Sequence, residues 1–445
     1  MTSSLAAVVL AAGLGTRMKS RASKHLHPLL GRPMVEWALD AVRPLKPAPL
    51  VVVCSAETSE EVAALLPDDA TIAVQAEPRG TGDAVAAARE TLGGHAGDVL
   101  VVPGDAPLLT SEVLQALVDD HARERPSVTV SAIESDKPLV YGRLVRDETG
   151  ALIRIVEERD ATPEESEIRE LNAALYVFSA PDLWWALERL DANNVQGELY
   201  LTDTIGHLAA DGRRVGVHRV VDPVASEGVN TRVELAAAAA VLRNRILRAH
   251  MLAGVTIADP ATTWIERNVV LEPDAVIHPF TVLRGATVVR RDAEVGPHVV
   301  AHDAEIGPGV TVGPFCYLRP GTVLEAGAKA GAFVEVKNSR VGERTKVPHL
   351  SYIGDADIGE DTNIGAGAIT ANYRPELEEG KQRTVIGSNV HTGSDNVFLA
   401  PVEIGDNAWV GAGSTITEDV PAGALAIARA RQVNKEDYFG RDGNT

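Results

Sequence analysis

The second half of the chain repeats an apolar residue at every sixth position, and this period limits the fold more than any other feature. Each unit can form a short strand with one inward side chain and then a turn, so stacked coils bury a continuous core. The period therefore predicts a hexapeptide solenoid. A first run contains Val270, Val276, Val282 and Val288; after a slip of one residue the predicted inward positions are Val295, Ala301, Ile306, Val312, Leu318, Leu324, Ala330, Val336, Val341, Val347, Ile353, Ile358, Ile364, Ile386, Thr392, Phe398, Ile404, Val410 and Ile416.

The repeat fails between Ile364 and Ile386, which predicts an ejected loop within residues 370–383. Loops on a rigid scaffold are where function concentrates. An imidazole with a pKa near 6.5 can accept a proton from a reacting amine, so His349, shortly before this loop, is a candidate general base. A surface histidine in a solenoid turn is the alternative.

The first half begins with an apolar run from Leu5 to Leu10, which predicts a buried strand. Gly13 and Gly15 then predict a turn whose backbone N–H groups can approach an anion. Arg17 and Lys24 add positive charge just beyond this turn. Together these residues predict a phosphate-binding loop.

Short apolar strands then alternate with helical patterns, which predicts a mostly parallel sheet with helices on both faces. Ligands bind at the carboxyl ends of such strands. Asp105 directly follows one of them, so it is a candidate Mg²⁺ ligand, with a solvated turn aspartate as the alternative. The predicted strands are Leu50 to Val53, Ile72 to Val74 and Val99 to Val102, and the predicted helices are Val35 to Val42 and Ala84 to Thr91.

Polar residues further along this half could contact a nucleotide base or a sugar. Gln75 and the turn Gly80-Thr81-Gly82 can present amide and backbone groups to a base edge, or can form an ordinary loop. Glu157 and Asn172 can accept from and donate to hexose hydroxyls, or can be cross-strand surface residues.

Length and charge exclude several classes of protein. A chain of 445 residues is too long for one ordinary core and predicts two or three domains. The excess of 62 acidic over 42 basic side chains argues against a nucleic-acid or anionic-membrane surface. Cys54 and Cys316 are too few for a disulfide framework or a cysteine zinc site. The first apolar run is too short to span a bilayer and lacks preceding basic residues, so we expect a soluble cytoplasmic protein without membrane insertion.

One long helix is predicted between the two halves. Thr231 and Glu234 fit a capping box, five alanines from Ala236 to Ala240 favour helix, and Gly254 is a natural stop. We predict domains at 1–230 and 255–445 joined by a linker helix at 231–254. A helix packed on the first domain is the alternative.

The string LAAGLGTRMKSRASKHLHPLLGRPM at residues 10–34 closely resembles the signature of sugar-1-phosphate nucleotidylyltransferases. Among them it is most similar to the bacterial bifunctional N-acetylglucosamine-1-phosphate uridyltransferases and glucosamine-1-phosphate acetyltransferases. The resemblance implies a Rossmann-like α/β nucleotidylyltransferase domain followed by a left-handed parallel β-helix of hexapeptide repeats. It also implies acetylation of glucosamine 1-phosphate by acetyl-CoA, followed by transfer of UMP from UTP to the product.

The resemblance assigns roles in the first half residue by residue. Arg17 and Lys24 would act on the triphosphate, and Asp105 and Asn230 would hold Mg²⁺. The substrate-binding set would be Leu10, Ala11, Ala12 and Gly13 in the loop, Gln75, Gly80 and Thr81 at the uracil, and Gly142, Glu157 and Asn172 at the sugar. This chain departs from the family pattern at Pro103 (usually tyrosine), Asp83 (histidine), Arg159 (lysine) and Ala173-Ala174 (Thr-Gly).

In the second half the resemblance implies that His349 is the general base and that the protein is a homotrimer with acetyl-transfer sites between neighbouring prisms. The sugar phosphate would be bound by Arg319, Lys337, Tyr352, Asn363 and Lys381, and acetyl-CoA by Ala366, Asn372, Tyr373, Ser394, Ala412 and Arg429. Departures are Arg374-Pro375 in place of Asp-Gly, and Val347-Pro348 in place of small residues.

Two other hypotheses remain for the repeat half. It could be a trimerisation scaffold or a regulatory sensor attached to a single nucleotidylyltransferase. It could also bind zinc, as hexapeptide carbonic anhydrases do, because His298 and His302 lie close in sequence.

Overall fold

The computed structural model describes residues 4–13, 15–66, 70–135, 141–377, 380–436 and 438. It divides into two compact units, Met1–Leu242 and Arg243–Thr445.

The first unit is built on a twisted sheet with the strand order β11-β7-β10-β6-β1-β4-β5. Strands β6, β1, β4 and β5 are mutually parallel, whereas β10 runs antiparallel to β6 and β7. The mostly parallel sheet predicted from the alternating pattern is therefore confirmed. The strands are β1 Leu5–Ala11, β2 Pro28–Leu29, β3 Arg32–Pro33, β4 Leu50–Ser55, β5 Ala70–Gln75, β6 Asp98–Pro103, β7 Val128–Glu134, β8 Arg143–Arg146, β9 Leu152–Val156, β10 Glu170–Ser179 and β11 Val215–Arg219.

The helices of this unit bury apolar side chains against the sheet. The predicted helix at 35–42 is present as α1, but the one predicted at 84–91 begins and ends earlier. It follows Gly80, whose φ of 115° makes the turn. The helices are α1 Met34–Val42, α2 Ser59–Ala63, α3 Thr81–Ala87, α4 Ser111–Glu124, α5 Pro163–Ser166, α6 Ala180–Leu187, α7 Asp203–Ala210 and α8 Arg232–Leu252, with 3-10 turns at Thr16–Met18, Lys24–Leu26, Arg43–Leu45 and Pro223–Ser226.

Helix α8 begins with the capping box that the sequence predicts. Thr231 Oγ1 accepts from the Glu234 N–H at 3.2 Å, and Glu234 Oε2 accepts from the Thr231 N–H at 2.8 Å. The same Glu234 oxygen accepts from the Asn230 N–H at 2.7 Å. The division between the two units falls inside this helix, between Leu242 and Arg243.

The second unit is a parallel β-helix whose strands stack into three faces among the described residues. The first face contains Thr256–Ile257, Val276–Ile277, Glu294–Val295, Thr311–Val312, Lys329–Ala332 and Lys346–His349, and continues through Asn363 to His391–Thr392, Trp409–Val410 and Leu425–Ala426. The second contains Trp264–Ile265, Val282–Arg284, Val300–His302, Tyr317–Leu318, Glu335–Lys337, Tyr352–Gly354, Ile369–Ala371, Val397–Leu399 and Thr415–Ile416. The third contains Val270–Leu271, Val288–Val289, Glu305–Ile306, Val323–Leu324, Arg340–Val341, Ala356–Ile358, Thr384–Ile386 and Val402–Ile404.

The predicted inward positions are confirmed from Val295 onwards, where each side chain is buried. The first run was wrong by one residue, because Val270 is 52% exposed. The buried residues of that run are instead Leu271, Ile277, Leu283 and Val289, so the period continues to Val295 without a slip. Both residues of each of these strands are apolar, and hydrophobicity alone could not select the inward one.

The predicted loop begins later than expected. Thr370 is fully buried within the strand Ile369–Ala371, so it belongs to the wall of the solenoid. The chain leaves the wall after Ala371 and returns at Thr384. Within the loop, Tyr373 and Lys381 form an antiparallel bridge, whereas Glu378 and Glu379 lie outside the described residues.

Cys54 and Cys316 are both free and buried. Among the described residues, each helix is too short or too polar to cross a bilayer.

Candidate functional sites

A cavity of about 580 Å³ opens at the carboxyl ends of β1, β5 and β6 in the first unit. Pro103, one of the departures from the family pattern, also lines it. Of the residues predicted to bind substrate or metal, the cavity lining includes Leu10, Ala12, Gly13, Lys24, Gln75, Gly80, Thr81, Asp105, Gly142, Glu157 and Asn172.

Three predicted residues do not line this cavity. The Ala11 side chain is buried in the core on the opposite side of β1 from Leu10 and Ala12, as strand alternation requires. Arg17 is exposed on the 3-10 turn Thr16–Met18. Asn230 reaches the site through a hydrogen bond to Lys24.

The phosphate loop packs directly against Lys24. Gly15 has a φ of 60°, and a Cβ at this position would lie 2.7 Å from the Cβ of Lys24. A Cβ at Gly13 would lie 3.7 Å from the Lys24 Cε. Only glycine gives Gly15 both the left-handed backbone and the space. The loop therefore holds the lysine side chain along the cavity wall.

Lys24 connects the two predicted Mg²⁺ ligands. Its Nζ forms an ion pair with Asp105 Oδ2 and donates to Asn230 Oδ1 at 3.1 Å. The Asp105 carbonyl accepts from the Val229 N–H at 2.8 Å, which ties the residue before Asn230 to the end of β6. Because Asn230 also precedes the capping box of α8, its backbone is fixed from both sides.

The charges around this cluster favour an ionised carboxylate. Burial raises the pKa of Asp105, but Lys24 and neighbouring groups outweigh it and leave the pKa below its usual range. Burial, together with Lys24, lowers the pKa of His25 to about 4. His25 is therefore neutral near pH 7 and leaves Lys24 as the cation beside Asp105.

The donor set fits Mg²⁺. This ion takes one or two carboxylates and keeps several waters or phosphate oxygens, and Asp105 with Asn230 supplies one carboxylate and one amide oxygen. Among the described residues, no group of three or more His, Cys, Asp or Glu side chains could hold a metal. The site accordingly suits an ion that arrives with a phosphate ligand.

The predicted sugar-binding residues lie together in the same cavity. Glu157 accepts from the Thr202 hydroxyl at 2.9 Å, and burial raises the pKa of its carboxyl. Asn172 donates to Tyr176 Oη at 2.6 Å. A Cβ at Gly142 would lie 2.8 Å from Ile155 Cγ2, so glycine is needed for the close approach of β8 and β9.

The side chain of Gln75, at the end of β5, is held by residues that follow it closely in the chain. Its amide group donates to the Gly80 carbonyl at 3.1 Å and to Asp83 Oδ2 at 2.9 Å. Asp83 also pairs with Arg79 at 2.8 Å. The aspartate that departs from the family pattern therefore orients Gln75 and leaves its carbonyl oxygen to face a ligand.

A second cluster lies on the β-helix where Arg319 and Lys337 occupy equivalent positions of successive coils. Lys337 Nζ lies 3.7 Å from Asp355 Oδ2, and Asn372 donates to this carboxylate. The hydrogen-bonding and charged groups around Asp355 outweigh its burial and lower its pKa. Lys337 also lowers the pKa of Lys381, which indicates that the two ammonium groups are close.

Tyr352 closes this cluster, because its Oη lies 3.5 Å from Asn372 Nδ2 and its ring covers Gly354. Arg319 pairs with Glu335 at 2.9 Å. Tyr373 is exposed on the loop. Lys337 and Lys381 therefore lie around a carboxylate that sequence reasoning did not select, whereas Arg319 pairs with Glu335.

Three of the predicted acetyl-CoA residues lie in a column along one edge of the β-helix, whereas Asn372 and Tyr373 lie on the loop after Ala371. Lys346, Asn363, His391 and Trp409 pair in register across successive coils. The residues three positions later occupy equivalent places in those coils, and backbone hydrogen bonds of 2.7–3.3 Å link them. They are His349, Ala366, Ser394 and Ala412. Arg429 lies near the end of this column, since a Cβ at Gly413 would be 3.7 Å from its Cδ.

The structure does not join His349 to the basic cluster. His349 is exposed at the end of the first face, whereas Arg319 and Lys337 lie at the far end of the second, where Lys337 is in register with Gly354. The corner at Leu350, with a φ of 50°, and the strand Tyr352–Gly354 lie between His349 and this end. Asn363 is likewise on the His349 side.

The zinc hypothesis is not supported by the described residues. The His298 ring is stacked between Phe280 and Phe315, with centroids 4.7 and 4.8 Å away. His302 faces Asp303 at 3.3 Å. Together these side chains do not form a metal-binding group of three.

Sequence reasoning missed Tyr176, Thr202 and Asp355, each of which hydrogen-bonds a predicted site residue. Tyr176 and Thr202 also line the cavity. Thr202 and Asp355 lie far from their partners along the chain, so only the sheet or the coil brings them together. Tyr176 lies four residues after Asn172 on the same strand, where the pairing of β10 with β7 is irregular. A spacing of one coil, from Asn338 to Asp355 and Asn372, is the signal that could have identified Asp355.

Comparisons with known proteins match both units. A family model described as the MobA-like NTP transferase domain matches residues 7–168, and one described as bacterial transferase hexapeptide (six repeats) matches residues 383–418. Proteins named "Bifunctional protein GlmU" match along nearly the whole chain. The one from Brevibacillus brevis is 44% identical over 99% of this chain and 98% of its own. The one from Streptomyces griseus is 47% identical over 99% and 95%, and the one from Thermoanaerobacter pseudethanolicus is 44% identical over 98% and 97%.

Proposed function

The chain belongs to the bifunctional GlmU family, and from this premise we propose how its two units divide the reactions. The enzyme acetylates glucosamine 1-phosphate with acetyl-CoA and transfers UMP from UTP to N-acetylglucosamine 1-phosphate, which releases pyrophosphate. We assign uridylyl transfer to the cavity of the first unit and acetyl transfer to the β-helix.

The observation that carries the first assignment is the contact of Lys24 with both Asp105 and Asn230. The sugar phosphate oxygen attacks the α-phosphorus of UTP, and the bond from that phosphorus to the pyrophosphate oxygen breaks. The nucleophile is already ionised, so the protein has to position the reactants and neutralise charge. Lys24 and Arg17 would bind the triphosphate, and Gln75, Gly80 and Thr81 the uracil.

Asp105 and Asn230 would hold Mg²⁺, which when bound offsets negative charge on the triphosphate. The Lys24 side chain lies between these two ligands, so its ammonium group would be close enough to pair with the phosphate groups of UTP. Gly142, Glu157 and Asn172 would bind the sugar. The backbone of residues 10–13 would line the nucleotide side of the cavity.

In the β-helix, His349 would take a proton from the amine of glucosamine 1-phosphate as nitrogen attacks the thioester carbon. The carbon–sulfur bond then breaks and the thiol of CoA leaves. Arg319, Lys337, Tyr352, Asn363 and Lys381 would bind the sugar phosphate, because paired cations and hydrogen-bond donors favour an anion. Acetyl-CoA would lie along Ala366, Ser394 and Ala412, with Asn372, Tyr373 and Arg429 beside it.

We propose that the protein is a homotrimer, because within a single chain the corner at Leu350 and the length of the second face separate His349 from the basic cluster. A neighbouring copy could bring the two halves of the acetyl-transfer site together. Since UTP and acetyl-CoA are intracellular metabolites, we also propose that the protein acts in the cytoplasm.

The test uses glucosamine 1-phosphate, acetyl-CoA, UTP and Mg²⁺, with each donor omitted in turn and the products identified. Asp105→Asn should abolish pyrophosphate release while thiol release from acetyl-CoA continues, and His349→Ala should do the reverse. If both activities survive both substitutions, the assignments are wrong. If thiol release is absent from the wild-type protein, the β-helix is a scaffold and not an acetyltransferase.

A further inference from the structure

The sugar end of the first cavity contains a backbone irregularity that the proposed function does not explain. The pairing of β10 with β7 shifts register between Asn172 and Tyr176, which forms a bulge. Ala174 lies in this bulge with a φ of 58° and lines the cavity. Bulges of this kind often re-aim a side chain at a site.

The bulge fixes the side chain of Asn172. The Asn172 Oδ1 accepts from the Ala174 N–H at 3.1 Å, and its Nδ2 donates to Tyr176 Oη at 2.6 Å. The freed N–H of Leu175 is satisfied by the hydroxyl of buried Ser131 at 3.0 Å. The Asn172 backbone N–H donates to the Gly142 carbonyl at 2.8 Å. The Asn172 side chain and the N–H groups of Asn172, Ala174 and Leu175 are therefore all hydrogen-bonded.

These contacts leave Asn172 with one free N–H and one free lone pair of its amide. A secondary amide presents the complementary pair, one C=O and one N–H. A hydroxyl group could also match the free N–H and lone pair of Asn172. Only an acylamino group also carries an apolar group directly on the amide that makes these hydrogen bonds. Between Asn172 and Tyr176, Ala174 is the residue that lines the cavity.

A left-handed backbone favours glycine, and the sequence pattern of the family usually has glycine here. This chain instead has alanine at this strained position in the cavity lining. We propose that Ala174 determines specificity, because its methyl limits the size of the 2-acylamino group accepted on the sugar 1-phosphate. The proposal rests on the assignment of this cavity to uridylyl transfer.

The test compares Ala174→Gly with Arg125→Gly. Arg125 has a similar φ of 48° but ends α4 on the exposed surface, away from the cavity lining. Both substitutions put glycine at a position with a left-handed backbone, but only Ala174→Gly removes a methyl group from the cavity lining. The assay measures kcat/KM for pyrophosphate release with N-acetyl- and N-butanoyl-glucosamine 1-phosphate at saturating UTP and Mg²⁺.

Ala174→Gly should raise the butanoyl-to-acetyl ratio by about tenfold, since one methylene in a closed pocket changes selectivity by at least this factor. Arg125→Gly should leave the ratio within about twofold of wild type, and both variants should melt at or above the wild-type temperature. An unchanged ratio in Ala174→Gly, or an equal change in Arg125→Gly, overturns the inference. If the wild-type protein does not release pyrophosphate with the N-acetyl substrate, the proposed function itself fails.

Discussion

Substitution of Gly331 by alanine tests how closely the coils of the β-helix are stacked beneath His349. Gly331 follows the inward residue Ala330, and its neighbour Ala332 is in register with His349. A Cβ at Gly331 would lie 2.0 Å from the Pro348 carbonyl oxygen, and both groups belong to the backbone. This distance is about 1.5 Å short of ordinary contact, so the two coils must separate.

The expected loss of stability follows from the hydrogen bonds that join the two coils. The Lys329 N–H donates to the Thr345 carbonyl, and the Leu350 N–H donates to the Ala332 carbonyl, each at 2.9 Å. Opening by more than 1 Å breaks both, at about 1 kcal/mol each. Overpacking adds about 1–3 kcal/mol. We expect a total loss of about 3–5 kcal/mol, together with a displacement of His349.

Gly411 is the matched control, because it follows the inward residue Val410 in the same column. A Cβ there would lie 3.1 Å from Cγ1 of the exposed Ile427 side chain, which can move, and 3.6 Å or more from its other neighbours. Calorimetric melting should show a destabilised transition for Gly331→Ala and a nearly unchanged profile for Gly411→Ala. Acetyl transfer should fall about 10²-fold in the first variant, since a shift of 1 Å can cost that factor, while uridylyl transfer persists. Equal melting of the two variants would refute this reasoning.

Two further predictions concern the first cavity. Because burial raises the pKa of Glu157, ionisation of this carboxyl weakens the fold as pH rises above the ordinary glutamate value of about 4.3. Glu157→Gln should therefore stabilise the chain at pH 7, and the difference from wild type should vanish in denaturant titrations below pH 4; a difference that grows towards acid pH would contradict the assignment. Lys24→Met removes the cation between Asp105 and Asn230, and should lower the rate of pyrophosphate release by about 10²–10³-fold. Thiol release from acetyl-CoA is its internal control, and an equal loss of both activities would indicate unfolding instead of lost charge neutralisation.

Periodicity predicted the solenoid because only one residue in six had to be apolar and inward, and the later coils obey that rule at each predicted position. It chose the wrong residue at Val270 because the neighbouring Leu271 is equally apolar. Stacking against Val289 in the next coil decides between them, and that contact depends on a neighbouring coil and not on local hydrophobicity.

The sequence could predict site residues as far as they lie just after the ends of strands. Lys24 and Asp105 were both selected, but their contact joins residues far apart in the chain. The bulge around Ala174 could not be derived from the sequence, because its φ is fixed by Ser131, Asn172 and Tyr176 together. The separation of His349 from Arg319 likewise appears only when the coils are stacked.

The stacking of the β-helix also determines which changes of length the chain can tolerate. Successive coils contact only their neighbours, and one turn takes 17 or 18 residues, as from Val312 to Ala330 and from Ala330 to Val347. A whole turn could therefore be gained or lost before Thr311 while Arg319, His349 and the column after them keep their facing. Loss of a single residue inside a strand would exchange its inward and outward side chains. Evolution can thus adjust the height of this prism in whole turns, independently of the chemistry at its far end.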